Sequence, residues 1–365
     1  MFGFWDDGDK RLAGLLEKRT LLEGVDPERL ERFPGAEEYE DSYPDDGFDF
    51  LHEAAITEFK GRLFASWYNN PERELRGYTP VRESRSSDGG RTWSERRTVA
   101  GDEKLMFCPP VYGISGDKLY MLINEMVGPD LMNGLRIYRL NGKSDRFELI
   151  QRLPLPHKLN TNVLHLESGK LMIAARFAET GKVPHIPGVL INDSGDIEGE
   201  WRMVKAQPDR YLPDGTPLDC PEPTVIAAGN RIFLFCRNDK RKVPLMYESP
   251  DGGETWSAPM THDIPFSDSK IYSGTLSDGR NYIVGNLIPG RTRLAIFFSK
   301  PGELVFNKGY LIQDGVNVKF GYGSKWHYPC CHESRGKLFV ICTANVKDDD
   351  HHRGAVLSVL DIGRI

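Results

Sequence analysis

No stretch of this sequence approaches the run of about 18 apolar residues that a membrane-spanning helix needs, and the first residues, MFGFWDDGDKRLAGLLEKR, are charged and amphipathic with no apolar leader. There is no lysine- or arginine-rich block, and the net charge is −6. Phosphate backbones are bound through basic footprints, so nucleic acid is a poor partner. The six cysteines, Cys108, Cys220, Cys236, Cys330, Cys331 and Cys342, show no CxxC or other zinc-ligand spacing. They read as buried free thiols, which favours a reducing, cytoplasmic setting and neither metal nor cofactor. Apolar recurrence at helical spacing is missing from the segments described next, which excludes a helical solenoid.

What is present is a soluble composition, 39% hydrophobic and 27% charged, with 37 glycines and 24 prolines spread along 365 residues. Those glycines mark a repeat. Six segments share a polar or proline-containing start, an apolar run, a glycine turn and a second apolar run: 51–69, 107–125, 159–177, 219–238, 270–286 and 327–345. Their turn glycines, Gly61, Gly116, Gly169, Gly229, Gly279 and Gly336, recur every 50 to 60 residues. Each segment reads as a β-hairpin, and the period leaves room for a second hairpin per repeat. Four strands per repeat make a propeller blade, so the expected fold is all-β, a six-bladed β-propeller of four-stranded antiparallel blades. The expected layout is an N-terminal helical extension over 1–40, with one or two short helices in 10–32, and a propeller over 41–365. The segment 354–362 reads as a last strand that completes or closes the final blade.

Two of the second hairpins carry a sharper motif. Ser86-Ser87-Asp88-Gly89-Gly90-Arg91-Thr92-Trp93 and Ser249-Pro250-Asp251-Gly252-Gly253-Glu254-Thr255-Trp256 both fit S-x-D-x-G-x-T-W in the same phase of the repeat. The aspartate is expected to accept backbone N–H bonds, the second glycine to take positive φ and the tryptophan to pack into the blade. Ser299-Lys300-Pro301-Gly302 and Asn192 to Trp201 look like decayed copies. The motif is the Asp-box, and over residues 45–365 the chain resembles the sialidase-like Asp-box (BNR-repeat) propellers, a glycoside hydrolase-related family. The box is structural there, so Asp88 and Asp251 are not catalytic candidates, and it also occurs in non-enzymatic propellers.

Aligning the hairpins on their glycines puts Glu53, Pro109, Asn162, Glu222, Tyr272 and Tyr328 at equivalent inner-strand positions, with His52 and His327 beside them. The second strands end in Tyr68, Asn124, Arg176, Arg237, Asn286 and Thr343. Such a set of glutamates, arginines, histidines and tyrosines at one mouth exceeds what a structural ring needs. The resemblance implies that Glu222 polarises a tyrosine nucleophile, Tyr328, and that Arg237 binds a substrate carboxylate. A phenol with a pKa of about 10 is a weak nucleophile until a carboxylate takes its proton. Arg291 and Arg293 stand where the family places another such arginine, Arg293 being the better match, and Arg176 can join them. The family's acid/base aspartate lies on the loop held here by 69–74, which offers Glu72 and Glu74 instead. The family's first arginine is also missing: the chain has Leu51-His52-Glu53-Ala54-Ala55 at that place. Glu53, Tyr272 and Tyr68 are taken as further substrate contacts.

These residues suggest a carbohydrate-active enzyme, an exo-acting glycoside hydrolase on a terminal, anionic or neutral sugar. One rival is a polysaccharide lyase or rhamnosidase on uronate-containing glycans, with His52 or His327 as base. The other is a non-catalytic glycan-binding propeller. Asp348-Asp349-Asp350-His351-His352 reads as a solvated turn, and His185 as a residue able to reach over the mouth.

Overall fold

The computed structural model describes residues 2–40, 46–129, 131–178, 185–317, 322, 323, 325–345 and 352–365. Asp348 to His351 lie outside them, while His352 faces Asp49 Oδ2 at 3.2 Å.

All six predicted hairpins form, and every turn glycine takes positive φ, from 59° at Gly116 to 86° at Gly169. Each is the inner pair of an antiparallel four-stranded blade. Blade one is Phe50–Phe59, Arg62–Asn70, Val81–Ser86 and Arg97–Ala100; blade two is Met106–Ser115, Lys118–Gly128, Leu131–Asn141 and Arg146–Leu153. In blade three the inner strand is split into His157–Leu159 and Leu164–His165, followed by Leu171–Phe177, Ile186–Asn192 and Arg202–Lys205. Blade four is Pro223–Ala228, Arg231–Cys236, Leu245–Ser249 and Met260–His262; blade five is Tyr272–Thr275, Arg280–Asn286, Arg293–Pro301 and Phe306–Asp314. Blade six takes three strands from the C-terminal end, Trp326–Ser334, Lys337–Asn345 and Arg353–Asp361, and its fourth, Glu37–Glu40, from the N-terminal segment. The ring is therefore closed by pairing across the length of the chain. Arg353–Asp361 is the third strand of its blade, and the closing strand is Glu37–Glu40.

The N-terminal segment is less helical than its sequence suggests. One helix, Asp7–Leu15, forms behind a capping box in which Asp6 and Asp9 bond each other's backbone N–H. Its Leu12 is buried in one hydrophobic cluster with Leu212, Leu218 and Val243. After it the chain runs extended. Glu17–Arg19 pairs in parallel with Met260–His262, Leu22 bridges Phe306, and Arg32 bridges Leu311. One strap thus ties blades four, five and six together.

The Asp-boxes behave as the sequence predicts. Asp88 Oδ1 accepts the Thr92 N–H at 2.9 Å and Ser86 Oγ accepts that of Gly90 at 2.8 Å; Asp251 and Ser249 repeat both bonds at the same distances. Hydrogen bonds from Thr92 hold the Asp88 carboxyl down at about 2. Gly90 must be glycine twice over: its φ is 97°, and a Cβ would lie 2.4 Å from Leu357 of blade six. Trp93 Nε1 donates to Gly90 O at 3.0 Å, and in the turn at Asn192–Trp201 the Trp201 Nε1 donates likewise to Ile197 O at 3.0 Å.

Candidate active site

The first strands of blades one, two and six share a β-bulge. Pairing skips from His52 to Ala55, from Phe107 to Pro110 and from His327 to Cys330. Glu53 and Tyr328 are the first bulged residues, with φ of 50° and 53°. Such conformations are costly for residues with a Cβ and mark positions where the backbone re-aims a side chain. The register makes Cys108 their blade-two counterpart, one residue before the Pro109 expected there.

Glu222, Arg237 and Tyr328 come together. Arg237 Nη1 donates to Glu222 Oε2 and to Tyr328 Oη, each at 2.6 Å. The other side of the same guanidinium is clamped by Asp239, with Nη2 to Oδ2 at 2.7 Å and Nε to Oδ1. Arg176 Nη2 stands 3.7 Å from Glu222 Oε1. Burial by itself would raise the Glu222 carboxyl, yet Arg237, Arg176 and Lys270 more than offset it and hold it below the usual carboxylate range. Burial pushes the Tyr328 phenol well above its ordinary value, so it is neutral at physiological pH. Since Arg237 donates to Oη, the phenolic proton stays free to be given away.

The histidines are neutral hydrogen-bonding walls. His52 lies 4.3 Å from the Tyr328 ring, centroid to centroid, and its Nδ1 meets Thr343 Oγ1 at 2.9 Å. Thr343 Oγ1 in turn donates to His327 O, so His52 Nδ1–H donates and Nε2 carries the lone pair. Burial, with Arg353 and His327 nearby, keeps His52 well below its ordinary pKa. His327 accepts from Arg291 through Nδ1 at 3.0 Å and meets Asn345 Oδ1 through Nε2 at 3.0 Å, which fixes the Nε2–H tautomer.

Glu53 points into this cluster and is bound by cations. Its Oε2 is 3.2 Å from Lys270 Nζ and its Oε1 is 3.7 Å from Lys158 Nζ, all three residues being buried. Lys270, Arg237 and Arg291 ring Tyr328, at 5.6, 5.8 and 5.8 Å from its centroid. Positive groups thus outnumber carboxylates around the phenol. Tyr68 is buried beside His52 and donates to Glu74 Oε1 at 2.9 Å, while Glu74 and Glu72 are themselves exposed.

Two expected contacts sit elsewhere. Arg293 leans outward and donates to Pro27 O of the N-terminal strap at 2.9 Å; Arg291, two residues earlier, is the arginine at the site. Alternation in the strand explains it, because residues at i and i+2 share a face only within a regular strand and Arg291 precedes the strand that begins at Arg293. Tyr272 lies deeper, in the wall of an axial cavity of about 260 Å³ lined also by Asn162, Ser273, Thr275 and Glu333. Lys158, Lys270 and Asp239 were not foreseen, since single charged residues at strand edges leave no spacing signal. His185 is half-buried, 4.0 Å from Asp219. Among the described residues, no group of three or more His, Cys, Asp and Glu side chains could hold a metal ion, and no helix is long and apolar enough to cross a membrane.

The model of the BNR repeat-like domain matches residues 61–340. The chain belongs to that family. Among solved structures, a Dyadobacter fermentans protein of unknown function matches with a TM-score of 0.69 at 14% identity, over 90% of this chain and 100% of that one. Trypanosoma rangeli sialidase in complex with sialic acid matches with a TM-score of 0.69 at 14% identity, over 91% of this chain and 60% of that one. A variant of NanB sialidase from Streptococcus pneumoniae gives 0.66 at 12% identity, over 88% of this chain and 70% of that one. This BNR propeller therefore has a sialidase-like fold and spans about 60% of the Trypanosoma rangeli enzyme's length. No curated protein matches it in sequence.

Proposed function

We propose that this BNR propeller is a glycoside hydrolase that removes a terminal anionic sugar through Tyr328. The observation that carries the reading is the single guanidinium of Arg237 bonded to both Glu222 and Tyr328, which brings blades four and six to one point. Tyr328 Oη attacks the anomeric carbon, its proton passes to Glu222, and the glycosidic oxygen leaves with a proton from Glu74. Water then displaces the sugar from the tyrosine, giving its proton to Glu74 and returning the phenol. The surrounding excess of Arg and Lys favours a carboxylate or another anionic substituent on that sugar. The sialidase fold of the neighbours supports the reaction class. The missing first arginine, with Glu53 in its region, weighs against sialic acid itself, because a bidentate arginine suits a carboxylate better than any replacement here.

The test is a screen of glycans and aryl glycosides with product identification by mass spectrometry, followed by Tyr328→Phe. The variant should fold and lose turnover of an activated aryl glycoside; wild-type rates in it would remove Tyr328 as nucleophile. A second reading draws on the neutral His52 stacked on Tyr328. Those two groups could take the proton next to a uronate carboxyl, giving elimination. An unsaturated, ultraviolet-absorbing product in the same screen would establish it.

A further inference from the structure

Between blades four and five, on the same face as Tyr328, lies a small pocket that neither the fold nor the proposed chemistry requires. Its walls are the end of one inner hairpin, including Arg237 and Asn238, and the crossover from His262 to Ile271. The exposed residues Lys242 and Asp268 form its rim. It adjoins the candidate active site through two residues: Arg237 itself, and Asp268, whose carbonyl accepts from Arg291 Nη2 at 2.8 Å.

Four buried polar atoms in this wall have no hydrogen-bond partner: Asn238 Oδ1, His262 Nδ1, Ser267 Oγ and Ser269 Oγ. Their residues are each at least nine-tenths buried, at 5, 2, 9 and 1% exposure. A buried polar atom left unpaired costs about 1–3 kcal/mol, and native proteins rarely collect four in one place without a use. Two of the four side chains, Asn238 and His262, are held from behind. The Asn238 amide donates to Val243 O at 3.3 Å, and its oxygen is left without a partner. The His262 ring is held edge-on by Phe235 and Phe266, at 5.6 and 6.4 Å between centroids. The set offers an acceptor, two hydroxyls that can donate or accept, and a ring nitrogen, and none of these four groups is an acid or a guanidinium. That uncharged set matches a hydroxyl, while the charged groups of the lining lie at the rim, as Lys242 and Asp268, and toward the active site, as Arg237. The free space is about 20 Å³, enough for one oxygen atom and too little for a sugar ring.

We propose that this pocket is a hydroxyl-reading subsite: Asn238, His262, Ser267 and Ser269 receive one hydroxyl, or the oxygen of a hydroxymethyl group, of the sugar whose anionic substituent lies on Arg237. It would discriminate between epimers and deoxy analogues. A site that hydrogen-bonds a substrate hydroxyl rejects the analogue lacking it strongly, because its own buried groups are then stranded. The proposal rests on the hydrolase reading for the identity of the ligand, and the test has one arm that does not.

In the first arm, single-deoxy analogues of the best substrate from the screen are compared on the wild type and on Ser267→Ala/Ser269→Ala. One analogue should lose at least about 100-fold in kcat/KM on the wild type, and the variant should reduce that discrimination to about tenfold or less. Equal discrimination by both proteins at every position overturns the subsite. The second arm needs no substrate: crystals of the wild type and of Ser269→Val are soaked in glycerol. A glycerol hydroxyl bonded among the four groups in the wild type, and absent from the variant, supports the subsite even if no glycan is turned over. Water alone in the pocket of soaked wild-type crystals overturns it, whatever the fate of the hydrolase reading.

Discussion

Replacing Glu53 by glutamine tests whether the carboxylate at the bulge of blade one holds the channel together. The residue is 3% exposed, and Lys270 Nζ, itself buried, sits 3.2 Å from its carboxylate with the Tyr328 ring on another side. Glutamine keeps the shape and removes the charge. Breaking a buried ion pair from one side leaves an uncompensated charge and costs about 3–5 kcal/mol. Unfolding entropy runs at about 2.1 cal/mol/K per residue, so for 365 residues each kcal/mol moves the melting temperature by about 1.3 °C. Glu53→Gln should therefore melt about 4–6.5 °C below the wild type by circular dichroism at pH 7. Glu53→Gln/Lys270→Met, which also removes the nearer lysine's charge and leaves Lys158, should recover part of the loss. A single variant within about 1 °C of the wild type would show that the Glu53–Lys270 pair is not desolvated and does not hold the fold.

Arg237→Lys should lower kcat/KM by at least about 100-fold on the substrate found, because a point charge cannot bond Glu222, Tyr328 and Asp239 together; steady-state kinetics checks it. Ser249→Ala should cost about 1–2 kcal/mol in urea unfolding, through the lost Gly253 bond, and leave kcat unchanged. Burial holds His157 and His262 down at about 3. Each is neutral in the folded protein but takes a proton in the unfolded chain below its ordinary pKa of about 6.5. Stability is thus lost as pH falls from 6.5 towards 3, by about 2 kcal/mol per histidine between pH 7 and 5. Urea titrations should show that fall, and His157→Leu should make it shallower; an unchanged slope refutes the assignment.

The inner hairpins were legible because a glycine at positive φ between two apolar runs is a local signal, repeated six times. The two complete Asp-boxes were legible for the same reason. The strap was not. Glu17–Arg19 and Glu37–Glu40 are short and charged, and become strands only through partners more than 200 residues away, Met260–His262 and Arg353–Asp361. Propensity in 10–32 therefore suggested more helix than forms, with tertiary pairing overriding it. At the site, Glu222, Arg237 and Tyr328 stood out by their places in the repeat. Lys158, Lys270 and Asp239 did not, since their meaning lies in a partner from another blade or across a turn. Arg291 and Arg293 were separable only by where the strand begins.

The bond that draws Glu222 and Tyr328 together also sets a problem for the proposed reaction. With Arg237 on it, Glu222 is a weak base, while burial makes Tyr328 a weak acid, so proton transfer between them is unfavourable in the free protein. In the reaction proposed above, a substrate anion would compete for the same guanidinium. As Arg237 turns to that anion, Glu222 loses its strongest partner and becomes more basic, and the phenolic oxygen sheds a donor and becomes more nucleophilic. The anionic group would then activate the catalytic pair as well as anchor the sugar, spending binding energy on the chemical step. An aryl glycoside of a uronic acid should therefore exceed its neutral primary-alcohol counterpart in kcat, by about tenfold or more, and not in KM alone. Equal kcat with a difference confined to KM would make the anion a handle only, and Arg237 would then have to remain on Glu222 and Tyr328 throughout turnover.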